Sequence, residues 1–277
     1  MAGPRVTGSR VTGASDGADA GIGRPRLIGH RGVALSAPEN TLAGFALAAS
    51  LGVRWVEFDV RLSRDHRCIL LHDDTLNRTT NGRGAAADFD FAELRRLDAG
   101  AWFGAEFQGQ RIPSLEETIE LLVERRLGAI IELKPGPGAD AATGRIAAAL
   151  IAERWPPSHP PPILSSFKPA ALAAARSVAP HFTRALDLVG VGRQWRAQLE
   201  ALGCSQLHAD QRRLRRATVD SVRAAAVPLF AYTVNRAERA AELFDWGVEA
   251  VFSDCPGELA RALDARSHLN IADTVNT

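Results

Sequence analysis

Cysteine is nearly absent from this chain. Cys68, Cys204 and Cys255 lie far apart and form no C-x-x-C pair. That excludes a disulfide framework or a cysteine zinc site as the basis of the fold, and reduced, scattered thiols fit a cytoplasmic protein. Net charge is also missing: 33 Lys and Arg balance 32 Asp and Glu to leave +1. No broad basic field therefore invites nucleic acid or an anionic membrane. One basic run, Gln211-Arg212-Arg213-Leu214-Arg215-Arg216, reads as the solvated start of a helix. Long apolar runs are lacking too. None reaches the roughly 18 residues of a membrane span, so no stable membrane insertion is expected. The first 24 residues are small and polar, without the apolar stretch of a secretory signal. Residues 1–25 are expected as a disordered tail, 266–277 as a second tail, and the location as cytoplasmic.

What is present is alternation. Apolar residues make up 46% of the chain, enough for a large core. Short β-branched runs predict strands at 27–29, 54–60, 68–71, 129–133, 162–165, 183–188, 205–208, 228–233 and 249–253. Helical patterns lie between most of them. Asn40 is placed to cap a helix with Leu42, Phe45, Ala46 and Ala49 on one face and Gly52 at its end. Ser114 and Glu117 have capping-box spacing ahead of a helix expected to stop at Gly128. Asn235 and Glu238 repeat that spacing before a helix ending at Gly247.

Such alternation predicts an α/β protein with a parallel sheet, and about eight units predict a (β/α)8 TIM barrel as a single domain over 26–265. Nine strands are one too many. The 61–67 link is too short for a helical crossover, so its flanking strands are expected to form a hairpin turning near Arg64-Asp65. That hairpin sets Asp59 close to His72. An open doubly wound sheet is the alternative, although no G-x-G-x-x-G follows the first strand. Residues 73–113 are too long for a plain loop. They read as a small insertion after the third strand that distorts the barrel and covers one mouth. Their Trp102, Phe103 and Phe107 suit either the insertion's own core or an apolar groove. The proline-rich stretch 156–162 reads as a stiff surface link.

The chemistry gathers where apolar runs meet polar loops. Glu57 and Asp59 are two apart on a strand and so share a face. Glu132 repeats the situation on a later strand. Three inward carboxylates repel one another unless a cation lies between them, and oxygen donors suit one divalent ion, Mg²⁺ or Ca²⁺. The alternative is pairing of Glu57 and Glu132 with Arg or Lys. His30 and His72 each end an apolar run; beside such a site one imidazole can accept a proton while the other donates one. Arg31 has the fork geometry for phosphate oxygens, or for a salt bridge to Glu39. Lys134 shares a face with Glu132 and suits phosphate or that carboxylate equally. His66, His159, His181, His208 and His268 carry no functional reading, His208 being the least certain.

In their order these segments resemble the glycerophosphodiester phosphodiesterases, within the wider phospholipase-C-like barrel group. The matching pieces are Gly29-His30-Arg31-Gly32, Pro38-Glu39-Asn40-Thr41, Glu57-Phe58-Asp59-Val60, Leu71-His72-Asp73-Asp74-Thr75-Leu76-Asn77-Arg78-Thr79-Thr80, Ile131-Glu132-Leu133-Lys134, Ser165-Ser166-Phe167, Tyr232-Thr233-Val234-Asn235 and Phe252-Ser253-Asp254. The resemblance covers about residues 26–262. It implies a distorted (β/α)8 barrel with an insertion after the second histidine motif. It also implies metal ligands Glu57, Asp59 and Glu132, catalytic His30 and His72, and phosphate contacts from Arg31 and Lys134. Mn²⁺ joins Mg²⁺ and Ca²⁺ among the ions implied. Tyr232 stands where many relatives carry tryptophan, keeping an aromatic wall near the substrate and adding a hydroxyl. The implied reaction is hydrolysis of a small-molecule glycerophosphodiester to sn-glycerol 3-phosphate and an alcohol. The nucleophile is either water or the glycerol 2-hydroxyl. Alternatives are lysophospholipase-D-type hydrolysis of lysophospholipids, a catalytically silent binding barrel, and a sugar-phosphate isomerase or aldolase.

Overall fold

The computed structural model describes residues 22, 23 and 25–275, with side chains as far as Arg266. Its strands are β1 (Leu27–Gly29), β2 (Trp55–Leu62), β3 (Cys68–Leu70), β4 (Gly128–Leu133), β5 (Ile163–Ser166), β6 (Thr183–Leu188), β7 (Gln206–Asp210), β8 (Leu229–Tyr232) and β9 (Ala250–Ser253). All nine lie within two residues of their expected ends. Eight run parallel in the order β1-β9-β8-β7-β6-β5-β4-β2, and Gly29 of β1 pairs with Val56 of β2 to close the ring. The result is a (β/α)8 barrel. The extra strand, β3, is antiparallel to β2 with Val60 opposite Leu70, as the hairpin reading requires.

The helices are α1 (Leu42–Ser50), α2 (Phe91–Leu94), α3 (Leu115–Glu124), α4 (Asp140–Arg154), α5 (Pro169–Val178), α6 (Trp195–Leu202), α7 (Arg216–Arg223), α8 (Ala237–Trp246) and α9 (Pro256–Val275). No helix among the described residues is long and apolar enough to cross a membrane.

Period-two alternation on β2 separates two environments. Val56, Phe58 and Val60 face outward into the core beneath the helices, where Phe58 meets Phe45 of α1 at 5.5 Å. Each such side chain removed from water contributes about 1.5–3 kcal/mol. Trp55, Glu57 and Asp59 face inward. Trp55 joins Ile28, Ile130, Ile163, Phe230 and Phe252 to fill the barrel with apolar side chains, so the interior is packed and the polar residues collect above it.

Several local expectations change. Thr41, not Asn40, caps α1, accepting the Gly44 N–H at 3.1 Å. Arg236, not Asn235, precedes α8. Both asparagines are used instead by carboxylates of the site described below. Ser114 and Glu117 do form a capping box, but α3 ends at Glu124. Gly128 belongs to β4, where a Cβ would meet the Trp55 ring at 2.5 Å.

Most of the expected amino-terminal tail, residues 1–21 and 24, lies outside the described residues. Ile22, by contrast, packs on the barrel core, and the Gly23 carbonyl accepts the Trp55 Nε1–H at 2.8 Å. Helix α9 continues to Val275, so residues 266–275 of the stretch expected as a carboxyl-terminal tail are helical, and 276 and 277 lie outside the described residues. Within 73–113, Leu76, Ala86, Leu94, Ala99 and Ile112 pack on Ile69 and Leu71 as a small separate core. Trp102, Phe103 and Phe107 lie outside it, edge to face, with Trp102 40% exposed.

Candidate active site

The site begins with a tight turn. A Cβ on Gly29 would lie 2.0 Å from the Gly32 carbonyl oxygen, and Gly32 has φ +93°, so both positions need glycine. The turn aims the Arg31 N–H at Glu57 Oε2, 3.0 Å away. It also brings His30 Nε2 to 3.9 Å from the same oxygen.

Glu57, Asp59 and Glu132 each offer an oxygen within 4.8 Å of the others. Asp59 is opposite Glu132 in the β2–β4 register, which fixes that proximity. Asn40 clamps Asp59 at two points. Its Nδ2–H donates to Oδ2 at 2.8 Å, and its Oδ1 accepts the Asp59 N–H at 3.1 Å. Lys134 Nζ lies 2.8 Å from Glu132 and 3.1 Å from Asp59 Oδ1. Arg31 Nε lies 3.3 Å from Asp59 and its Nη1 donates to Glu39 at 2.9 Å. Arg31 and Lys134 thus pair with acids and also remain beside the cavity.

These charges divide the three acids. Burial, with Asp59 and Glu132 adjacent, pushes the Glu57 carboxyl well above its ordinary range. Burial and Asp59 likewise push Glu132 up to about 8. Burial alone would raise Asp59 as well, but Lys134 and Arg31 outweigh it and hold Asp59 far below the usual value. Asp59 Oδ1 is buried without an aligned hydrogen bond, although Lys134 is near. Two acids that resist ionising beside a third with an unfilled oxygen are a donor set that a divalent ion relieves, so these residues fit one.

Each histidine is oriented by a carboxylate. His30 Nδ1 is 2.6 Å from Asp254 Oδ1, and His72 Nδ1 is 2.7 Å from Asp73 Oδ1. Burial would raise Asp254, but the His30 contact holds it low; the Arg78 guanidinium holds Asp73 low. Ionised carboxylates only accept, so Nδ1 donates in both pairs and Nε2 is the free nitrogen. Burial keeps the His72 imidazole below its ordinary value despite Asp59.

His30, Arg31, Glu57, His72, Glu132, Lys134 and Tyr232 all line one cavity of about 150 Å³, with Asp59 buried beneath it. Phe167 and Tyr232 form its aromatic wall, their rings 5.9 Å apart. The added Tyr232 hydroxyl donates to the Leu188 carbonyl at 2.8 Å. A wider cleft of about 460 Å³ adjoins it, lined by Lys134, Gly138 and Lys168 among others. A larger cavity of about 540 Å³ lies at the opposite mouth, around Trp55, Pro160 and Phe230, and holds none of these residues.

Residues 30–258 match the glycerophosphoryl diester phosphodiesterase family. The chain belongs to that family. It is therefore a phosphoric diester hydrolase. Its relatives include a glycerophosphodiester phosphodiesterase of Caldanaerobacter subterraneus subsp. tengcongensis, 34% identical over 239 residues, 84% of this chain and 95% of the relative. Among solved structures, an Oleispira antarctica phosphodiesterase in complex with the product sn-glycerol-3-phosphate has a TM-score of 0.84 at 38% identity. That match covers 87% of this chain and 97% of that one. A glycerophosphodiester phosphodiesterase of Agrobacterium tumefaciens has a TM-score of 0.71 at 28% identity, covering 86% and 100%.

Reading the phosphodiesterase sequence alone missed the residues that support this centre. Arg61, buried on β2, donates to the Leu71 and His72 carbonyls and to Asp74, and so pins the hairpin end that carries His72. Arg78 bridges Asp73 and Glu39, linking the His72 and Arg31 segments. Asn235 donates to Asp254 Oδ2 at 2.7 Å and accepts the Asp254 N–H, steadying the partner of His30. Asp187 and His208 also line the cavity, although His208 carried no functional reading. The signal for Asn40, Asp73, Arg78, Asn235 and Asp254 was their membership in the recurring motifs; nothing local marked Arg61 or Asp187.

Proposed function

We propose that this phosphodiesterase hydrolyses glycerophosphodiesters to sn-glycerol 3-phosphate and an alcohol, with one divalent cation held by Glu57, Asp59 and Glu132. Mg²⁺ and Ca²⁺ suit the all-oxygen donor set best, with Mn²⁺ as a further candidate. The observation that carries the reading is the convergence on one cavity of three acids, two carboxylate-oriented imidazoles and two cationic side chains. When bound, the cation supplies positive charge against the phosphate oxygens.

The chain's own residues account for the rest. Arg31 and Lys134 meet the remaining phosphate charge, their positions fixed by Glu39, Asp59 and Glu132. His30 Nε2 takes the proton of the attacking oxygen, a water or the glycerol 2-hydroxyl. A new P–O bond forms as the bond to the leaving alcohol breaks. His72, as the imidazolium protonated on both nitrogens, gives that alcohol its Nε2 proton. The cyclic phosphate formed by the 2-hydroxyl route is then opened by water with the two histidines in exchanged roles. Asp254 accepts from His30 Nδ1 and so leaves Nε2 free as the base, while Asp73 accepts from His72 Nδ1 and stabilises its imidazolium. General acid–base help of this kind contributes about 10²–10⁴-fold.

Product analysis tests the reading. Glycerophosphocholine, glycerophosphoethanolamine and lysophosphatidylcholine are each incubated with the protein, with EDTA and with each cation restored. The reading expects sn-glycerol 3-phosphate from the first two, no turnover in EDTA, and recovery on adding a cation. Full activity after thorough chelation, or turnover confined to lysophosphatidylcholine, contradicts it.

A further inference from the structure

We infer that Asp187 receives the hydroxyl groups of the substrate's glycerol arm and so selects a free polyol in the cavity. The inference rests on the diesterase reading above and adds a specificity-determining residue to it.

Asp187 faces inward from β6, in register with His208 on β7, and both are almost fully buried. His208 Nδ1 lies 2.8 Å from Asp187 Oδ1, yet that oxygen has no aligned hydrogen bond. The Gln206 amide nitrogen is 3.0 Å from His208 Nε2. With the amide donating, Nε2 accepts and the imidazole proton sits on Nδ1, on the Asp187 side but out of line with Oδ1. The ring is locked by stacking on Phe230 and by the edge of Phe252. Among the described residues no other donor reaches Asp187. A carboxylate offers about four acceptor sites, and burying them unfilled is unfavourable. This one lines the same cavity as His30, Glu132 and Lys134, so the missing donors are those of a ligand.

Charge fixes which part of the ligand. Arg31 and Lys134 draw the phosphate to their side, while Asp187 repels it. Tyr232 and Phe252 offer ring surface, and the Tyr232 hydroxyl proton is already given to Leu188. A space of about 150 Å³ takes a short arm only. The wider cleft at Lys168 is open to the alcohol that varies between substrates. Hydroxyl donors on a three-carbon arm complete the Asp187 carboxylate; an acylated or hydroxyl-free arm does not.

The test compares the Kd of sn-glycerol 3-phosphate with that of n-propyl phosphate, which has the same chain length without hydroxyls. It uses calorimetry on wild type, Asp187→Ala and the isosteric Asp187→Asn, with divalent cation saturating and folding checked by Tm. Wild type is expected to prefer the glycerol ester by about 10- to 100-fold. Each folded variant should lower that preference at least fivefold. A smaller change, or a wild type without preference, overturns the inference. Loss of phosphocholine affinity with the preference intact also overturns it, assigning Asp187 to an ammonium arm instead. Failure of wild type to turn over glycerophosphocholine sinks the diesterase reading separately, because the Kd ratio needs no turnover.

Discussion

The two mouths of this barrel are built from the same strands by opposite means. At its amino end β2 places Trp55, whose ring packs on Ile28 and Ile130 and whose Nε1–H is donated to Gly23. Four residues later the same strand places Asp59, buried among Glu57, Glu132, Arg31 and Lys134. One mouth is lined by apolar packing; the other gathers carboxyls, and burial together with the neighbouring Asp59 pushes Glu57 and Glu132 above their ordinary range. The apolar end holds the barrel together and leaves the charged end to carry the proposed chemistry.

Three substitutions probe that contrast. The largest effect is expected at the charged mouth. His72→Ala should lower kcat on glycerophosphocholine by at least about 100-fold while leaving Tm nearly unchanged; surviving activity would remove His72 from the reaction. Next comes Asn40→Ala, which strips two hydrogen bonds from Asp59. Cation affinity should fall about 10–100-fold in a calcium titration. Unaltered affinity would show that Asp59 is positioned without its clamp. The smallest effect belongs to the apolar mouth. Trp55→Phe keeps most of the ring packing but loses the bond to Gly23, and urea unfolding should report a loss of about 1 kcal/mol with turnover unchanged. A fall in turnover would mean that the two mouths are coupled.

Much of the barrel was legible because strand identity is a local property. β-branched runs, short links and the 61–67 turn gave all nine strands and the one antiparallel pair. Asn40 and Asn235 show where locality misleads. Each stands ahead of a helix at a position where Asn commonly caps, yet each spends its amide on a carboxylate distant in sequence. His30 and Asp254 meet across 224 positions, a contact that exists only once β1 pairs with β9. Arg61 and Asp187 belong to the same class. Their partners arrive through hairpin closure and strand register, so no sequence window contains them.

In the proposed site, three carboxylates share a single divalent ion beside the two imidazoles. Calorimetric titration of chelated protein with Ca²⁺ or Mg²⁺ at pH 7 tests it most directly. Burial and the neighbouring Asp59 favour the protonated forms of Glu132 and Glu57, and both must be ionised to act as ligands. One ion per chain is expected, bound with proton release, with Glu132→Gln reducing the release and losing most of the affinity. Absence of saturable binding, or identical binding by Glu132→Gln, would contradict it.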